Sequence, residues 1–331
     1  GHELDVRVDS QGFVVDTTSL SAGTYSLVLE QSFNEGRMIA FPITFDIGDG
    51  RFEDFEGSDS IALSSAGSMR FPFGEPGGLS LSIRPESEAI GPQSLAVTTD
   101  GLHVLNTAGR SIVRTGPNQE LVPMADLDSG SYTDLAFSPS GEHGVAVDMI
   151  RGAVLDLRTG TLTALPDIAR YLPANTRFVV TDAGIVAAQS PVDSTTYGLV
   201  SVATGVPVEV LPEDGPRAWV QDADSVLVQF DMSQAPKRIP ASNATILSHA
   251  VLTNGFVALL LSEESVEHGG AFTNRIVVTD GRISSSSPVE FDASITMTKH
   301  IVAAPNGEVV LAQVSREALE VTIYQVVGGT K

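Results

Sequence analysis

His249, His268 and His300, with Glu267 next to one of them, are the residues of this chain best able to build a reactive centre. Neutral imidazoles with a carboxylate suit zinc, three protein ligands leaving a fourth position open. Their spacing fixes no such geometry, so the strands that carry them decide whether they meet. His249 and His300 could equally fill a wall as hydrogen-bonded rings, with His268 a solvated loop residue. Asp134, Arg177 and Arg217 form a second set, suited to binding a polar ligand or to pairing with one another. No Gly-x-Ser-x-Gly elbow, Walker loop, His-Glu-x-x-His or Rossmann glycine pattern occurs, so no common hydrolase, NTPase or oxidoreductase signature supports an enzyme. The chain has no cysteine, which excludes disulfides, thiolate metal sites and cysteine nucleophiles. The expectation is therefore no cofactor, with zinc on the histidines as the alternative.

The elements that would position these residues show most plainly between Tyr132 and Leu165. Tyr132 to Phe137 alternates toward a Ser138-Pro139-Ser140-Gly141 turn, and Gly144 to Met149 is a second short apolar strand. Ala153 to Leu157 leads into a turn at Arg158-Thr159-Gly160, where glycine takes a positive φ at little cost, and Leu162 to Leu165 closes a four-stranded sheet. Phe137 and Leu155 are expected in its core and Arg158 in an exposed turn. So small a sheet cannot bury both faces alone and needs similar neighbours.

Those neighbours follow at a spacing near 40 residues. Units open at Ser94, Tyr132, Phe178, Ala218, Ala250 and His300, and turn glycines recur between their first and second strands at Gly101, Gly141, Gly184 and Gly307. The unit opening at Ala218 looks clipped, ending at Ile239. Four short strands per repeat at this period are the mark of a propeller. From Pro92 onward the chain resembles bacterial extracytoplasmic β-propellers of the surface-layer and lactonase-like repeat type, in architecture alone. The Gly-His and Trp-Asp pairs of WD40 repeats and the Ser-x-Asp-x-Gly-x-x-Trp box of sialidases are missing, and a lone Trp219 cannot supply the repeated tryptophan of quinoprotein blades. In this register His249 and His300 fall just before the inner strands of adjacent units, and His268 lies in the loop between second and third strands. All three map to one face. His103 and His143 follow the first turn and map to the opposite one.

Residues 3 to about 90 are strand-rich without a clean repeat. Ser19 to Leu29 resembles the edge of an immunoglobulin-like or cupredoxin-like sandwich, although copper is excluded there by the missing Cys and paired His ligands. Strands at Met38 to Ile47, Ser60 to Ser64, Met69 to Phe73 and Leu79 to Ile83 would complete it. The expected class is thus all-β: a β-sandwich-like domain over residues 1–90, then a six- or seven-bladed propeller over 91–331. In the alternative, the whole chain is one eight-bladed propeller, since Asp5 to Asp16 aligns with Ser94 to Leu105. The carboxylates Asp46, Asp49, Glu53, Asp54, Glu56 and Asp59 could hold calcium, but their spacing is not that of an EF-hand loop and charge runs are usually solvated.

A formal net charge of -22 argues against nucleic acid and anionic membrane as partners, because both demand clustered Lys and Arg. Lysine is confined to Lys237, Lys299 and Lys331. The longest apolar run, Phe256 to Leu261, is far short of the roughly 20 residues that span a bilayer, so no membrane insertion is expected. Gly1-His2 resembles a vector remnant, which suggests a removed signal or anchor segment and an extracytoplasmic setting. The expected function is a non-catalytic binding or recognition module, holding a protein, peptide or glycan on a propeller face. Its alternatives are a zinc-binding protein using the histidine face and a propeller hydrolase or lyase whose site is dispersed over several blades.

Overall fold

Residues Tyr132 to Leu165 fold as the expected four-stranded antiparallel sheet in the computed structural model. The structure describes residues 6–9, 12–15, 23–32, 38–47, 53–54, 61–75, 78–83, 89–166, 169, 172, 176–189, 196–208, 216–230, 234–265, 271–291, 295 and 297–328. The chain divides into two units, Gly1–Glu53 and Asp54–Lys331. The described part of the first unit is two antiparallel hairpins, β1 (Val6–Asp9) with β2 (Gly12–Val15) and β3 (Gly23–Ser32) with β4 (Met38–Ile47).

Six sheets make up the rest. After β5 (Glu53–Asp54) and β6 (Ile61–Pro72), the first blade is β7 (Ser94–Thr98), β8 (Gly101–Asn106), β9 (Ser111–Thr115) and β10 (Leu121–Asp126). The second is β11 (Tyr132–Phe137), β12 (Gly144–Asp148), β13 (Ala153–Asp156) and β14 (Leu162–Ala164), and the third is β15 (Arg177–Val180), β16 (Ile185–Gln189) and β17 (Thr196–Ser201). The fourth runs β18 (Arg217–Asp222), β19 (Ser225–Gln229) and β20 (Lys237–Pro240), with β5 outermost. The fifth is β21 (Ala244–Val251), β22 (Val257–Ser265), β23 (Ala271–Thr279) and β24 (Ser284–Val289). In the sixth, β25 (Ile301–Ala303), β26 (Val309–Val314) and β27 (Ala318–Gly328) are completed by β6. The architecture is an all-β propeller of six blades among the described residues.

Among the described residues, apolar clusters fill five of the junctions between blades, because sheets bury their faces against their neighbours. Leu105, Ile112, Tyr132 and Leu135 pack between the first and second blades, and Val145, Val154, Phe178 and Val186 between the second and third. Val226, Ile239, Leu259 and Val277 join the fourth to the fifth. Leu260, Ile276, Ile301 and Val309 join the fifth to the sixth, and Leu95, Val104, Val310 and Leu319 join the sixth to the first. In the second blade Leu135 and Val154 are fully buried, whereas the expected core residues Phe137 and Leu155 pack against the core only partly buried. Phe137, near the turn, is only partly buried and stacks on His103 at a centroid distance of 4.5 Å. The turn glycines behave as expected: Gly101, Gly141, Gly184 and Gly307 all take positive φ, a region that favours residues without a Cβ.

The unit boundary expected at residue 90/91 lies instead between Glu53 and Asp54. Residues Ile61–Pro72, assigned above to a sandwich, pair with β27 from Ile61↔Gly328 to Pro72↔Ala318, so a segment that precedes the first blade supplies the last blade's outer strand. Phe71 and Leu79 are buried in the core shared by the sixth and first blades. No helix among the described residues is long and apolar enough to cross a membrane.

A fragment of residues 54–331 is expected to unfold in one cooperative urea transition, because it keeps β6. A fragment of residues 91–331 loses β6, leaving the outer edge of β27 unpaired and the core without Phe71 and Leu79, and should unfold at much lower urea or fail to fold. Equal urea midpoints for the two fragments would show that β6 does not close the ring.

Candidate functional site

Counted back from the hairpin turns that follow the six inner strands, Ser94, Asp134, Arg177, Arg217, Ser248 and His300 hold equivalent positions, His300 just before its strand and the others within theirs. All but Arg217, whose side chain lies outside the described residues, are buried polar groups. A buried polar atom without a partner is costly, and here the partners come from neighbouring blades. The Asp134 Oδ1 atom accepts from Ser94 Oγ at 2.5 Å and from the Leu135 amide at 2.8 Å, while Oδ2 accepts from the Phe178 amide at 2.6 Å. Ser94 Oγ also accepts from the Leu135 amide at 3.2 Å, and Ser248 Oγ accepts from the amides of His300 at 3.2 Å and Ile301 at 3.0 Å. At three junctions, therefore, the first inner residue of one blade receives an amide from the start of the next blade's inner strand.

Lys299 and Arg177 extend these links across the axis. The Lys299 ammonium lies 3.0 Å from Asp134 Oδ1 and donates to the carbonyls of Leu135 at 2.8 Å and Phe178 at 2.9 Å. That uses all three of its N–H bonds. Burial lowers its pKa while Asp134 pulls it upward, and Arg177 adds to the lowering. Arg177 donates through Nε to the Thr298 carbonyl at 3.2 Å and through Nη2 to the Leu247 carbonyl at 3.0 Å. Its Nη1 reaches His249 Nδ1 at 2.9 Å and the His249 carbonyl at 3.2 Å. Burial pushes its pKa down to about 10, opposed by the charge of Asp134, so it stays cationic at neutral pH.

The histidines do not sit in the register expected from the repeats. Counted back four residues from Leu252 and Ala304, which close equivalent turns, Ser248, not His249, is the counterpart of His300. A guanidinium only donates, so His249 Nδ1 is the acceptor of the Arg177 bond and the proton resides on Nε2. His300 Nδ1 instead donates to the Ala312 carbonyl at 3.3 Å, and its ring meets Phe291 edge-on at 4.8 Å. Burial holds both rings neutral, with Arg177 adding to the effect: His249 lies well below the usual histidine value, and His300 at about 4. The two imidazoles thus have different partners, and His249 faces a cation. His268 and Glu267 lie outside the described residues. Among those described, no three His, Cys, Asp or Glu side chains come together as a metal site. The acidic run from Asp46 to Asp59 cannot be placed as a site either, since its side chains also lie outside the described set.

Arg177, His249 and Lys299 line one end of a central channel of about 290 Å³. Its wall comes mainly from the inner strands β7, β11, β15, β21 and β25; it is mostly apolar, with Ser138, Gln189 and Thr253 as its other polar side chains. At the other end stand the hairpin-turn residues Pro139, Thr253 and Pro305. Exposure rises along β21 in that direction, from 7% at His249 to 42% at Val251, so the mouth opens on the turn face. Val220, on β18 at the position equivalent to Val251, is also 42% exposed. Sequence reasoning singled out Asp134 and Arg177 as a polar set but did not single out Ser94, Ser248 and Lys299. A signal existed for each: the two serines recur at one repeat position, and Lys299 is one of only three lysines.

No family model matches the chain, and no curated protein matches it. Among solved structures it is similar to virginiamycin B lyase from Staphylococcus aureus, with 12% identity, a TM-score of 0.42 and coverage of 79% of this chain and 99% of that one. It is also similar to BamB from Moraxella catarrhalis, at 12% identity and TM-score 0.38 over 80% of this chain and 98% of that one. Hydrazine synthase from Kuenenia stuttgartiensis aligns at 12% identity and TM-score 0.42, over 67% and 76% of the two chains. Nothing about activity follows from likenesses this distant. The blade architecture rests on the sheet order described above.

Burial sets a sign for the pH dependence of stability. His300 and His103 both have folded-state values of about 4, His103 through burial first and Arg114 second, against 6.5 when unfolded. Between pH 6.5 and 4 the unfolded chain therefore binds more protons, and stability falls as pH falls. His300→Gln should show a smaller drop in urea midpoint between pH 7 and pH 5 than the wild type does. General acidic repulsion is common to both proteins and cancels in that comparison. Identical drops would show that His300 does not titrate abnormally.

Proposed function

We propose that this protein is a non-catalytic binding module that receives its ligand at the turn-face mouth of the central channel. The observation that carries this reading is how the axial polar groups are used. Lys299 spends all three N–H bonds inside the fold, both oxygens of Asp134 accept internal bonds, and the Nδ1 atoms of His249 and His300 are engaged. A general base or nucleophile needs a group within hydrogen-bond reach of a substrate, and these point into the scaffold. What lines the mouth is a collar of Val251, Pro139 and Pro305 beside Ser138 and Thr253, on a rigid frame of the kind that commonly presents binding loops.

Of the partner classes open to a propeller face, an apolar peptide segment fits this collar better than a glycan, which needs convergent polar groups. The overall charge of -22 weighs against polyanionic partners. An extracytoplasmic setting belongs to the same proposal, supported by the resemblance to surface-layer-type propellers.

Peptide and glycan arrays probed with the wild type and with Val251→Arg test the reading, alongside an ester, lactone and glycoside substrate screen. Capture of apolar peptides, weakened at least tenfold by Val251→Arg, with no turnover, is the expected result. Turnover of any substrate, preference for glycans, or peptide capture indifferent to Val251→Arg would overturn it.

A further inference from the structure

The Arg177 charge is compensated differently from that of Lys299. Lys299 has a carboxylate, Asp134, at 3.0 Å. Arg177, buried to 7% exposure, has among the described residues only neutral hydrogen-bond acceptors: the carbonyls of Thr298, Leu247 and His249, and the His249 ring. Its partial attraction to Asp134 is long-range, since both oxygens of that carboxylate are committed to other donors. A guanidinium carries five N–H donors, and four bonds are made among the described residues. One Nη2 N–H is left on a side chain that lines the channel. A desolvated cation without a counter-ion is expensive, and an anion arriving beside it lowers that cost.

The rest of the channel limits what that anion can be. The wall between Arg177 and the mouth is mostly apolar, with Ala136, Val179, Ala250 and Val302 among its residues and Gln189 and Ser138 as polar exceptions. From Arg177 to Val180, the length of β15, is roughly 10 Å at the rise of a β-strand. A channel of about 290 Å³ holds about ten water-sized groups at about 30 Å³ each. The molecule's charge of -22 disfavours multiply charged anions, so a single negative charge fits best. We propose that the channel binds the carboxylate end of an amphipathic ligand of about ten non-hydrogen atoms, with Arg177 donating to the carboxylate and the apolar wall enclosing its tail. The proposal rests on the reading that ligand enters through the turn-face mouth, and it names the chemistry recognised inside.

Two sources share that chemistry, a free acyl chain and the C-terminal end of an apolar peptide. Titration calorimetry with octanoate and with N-acetyl-leucine distinguishes them, and octanol and N-acetyl-leucinamide serve as uncharged counterparts. At least one acid should bind at least tenfold more tightly than its uncharged counterpart, and the tighter acid identifies the source. Arg177→Gln should weaken that acid at least tenfold while changing the uncharged compound little. If Arg177→Gln does not fold, Val251→Asp at the exposed mouth replaces it and should weaken the acid several-fold more than the uncharged compound. Equal binding of acid and uncharged compound, no binding of either acid, or an affinity unchanged in a folded Arg177→Gln protein would overturn the proposal. Apolar peptides captured in a Val251-dependent way, with neither acid bound, would end this proposal alone; no ligand of any kind would end both.

Discussion

The ion pair of Asp134 with Lys299 is the contact on which the centre of the propeller depends. Propeller blades are held by apolar packing, which is strong but non-directional, so packing alone does not fix how far the inner strands slide along one another. The carboxylate of Asp134 supplies direction, since its two oxygens receive donors from the first, second, third and sixth blades. Lys299 returns the contact by donating to carbonyls of the second and third. Removing one member of a buried pair leaves the other charge uncompensated, at about 3–5 kcal/mol. In this chain it would also take the Lys299 donor from two carbonyls, or the carboxylate acceptor from the Phe178 amide.

Arg177 depends on that arrangement. With Asp134 committed to Lys299, the guanidinium is left to backbone carbonyls of the fifth blade and the segment before the sixth. It consequently ties the third blade across the axis and remains a cation facing an apolar channel. The structural role and the proposed ligand role are therefore not rivals, because the bonds that fix Arg177 also hold its remaining donor at the channel's inner end. The histidines are shaped by the same cation: its bond to His249 fixes that ring's tautomer and helps keep it neutral.

The sequence made the blades visible because a blade is local. Alternation over Tyr132–Phe137 and Gly144–Asp148, and turn glycines at positive φ, need only neighbouring residues. The sixth blade's outer strand was invisible for the opposite reason. Ile61–Pro72 pairs with Ala318–Gly328, and nothing local in either segment names its distant partner. The site was half visible. Asp134 and Arg177 are singled out by repeat position, while counting the unit from the apolar Ala250, rather than back from the turn at Leu252, puts His249 in the place of Ser248. Burial of Lys299 runs against the usual exposure of lysine.

A double-mutant cycle on Asp134 and Lys299 measures this central contact most directly. Urea unfolding of Asp134→Asn, Lys299→Met and the double variant gives the interaction energy as the departure from additivity. Each single substitution should destabilise by about 3–5 kcal/mol, and the double variant should be more stable than the sum of the singles implies by about 2 kcal/mol or more, within the range seen for contacting residues. Additivity within about 0.5 kcal/mol, the behaviour of independent sites, would contradict the claim that this pair sets the register of the propeller's centre.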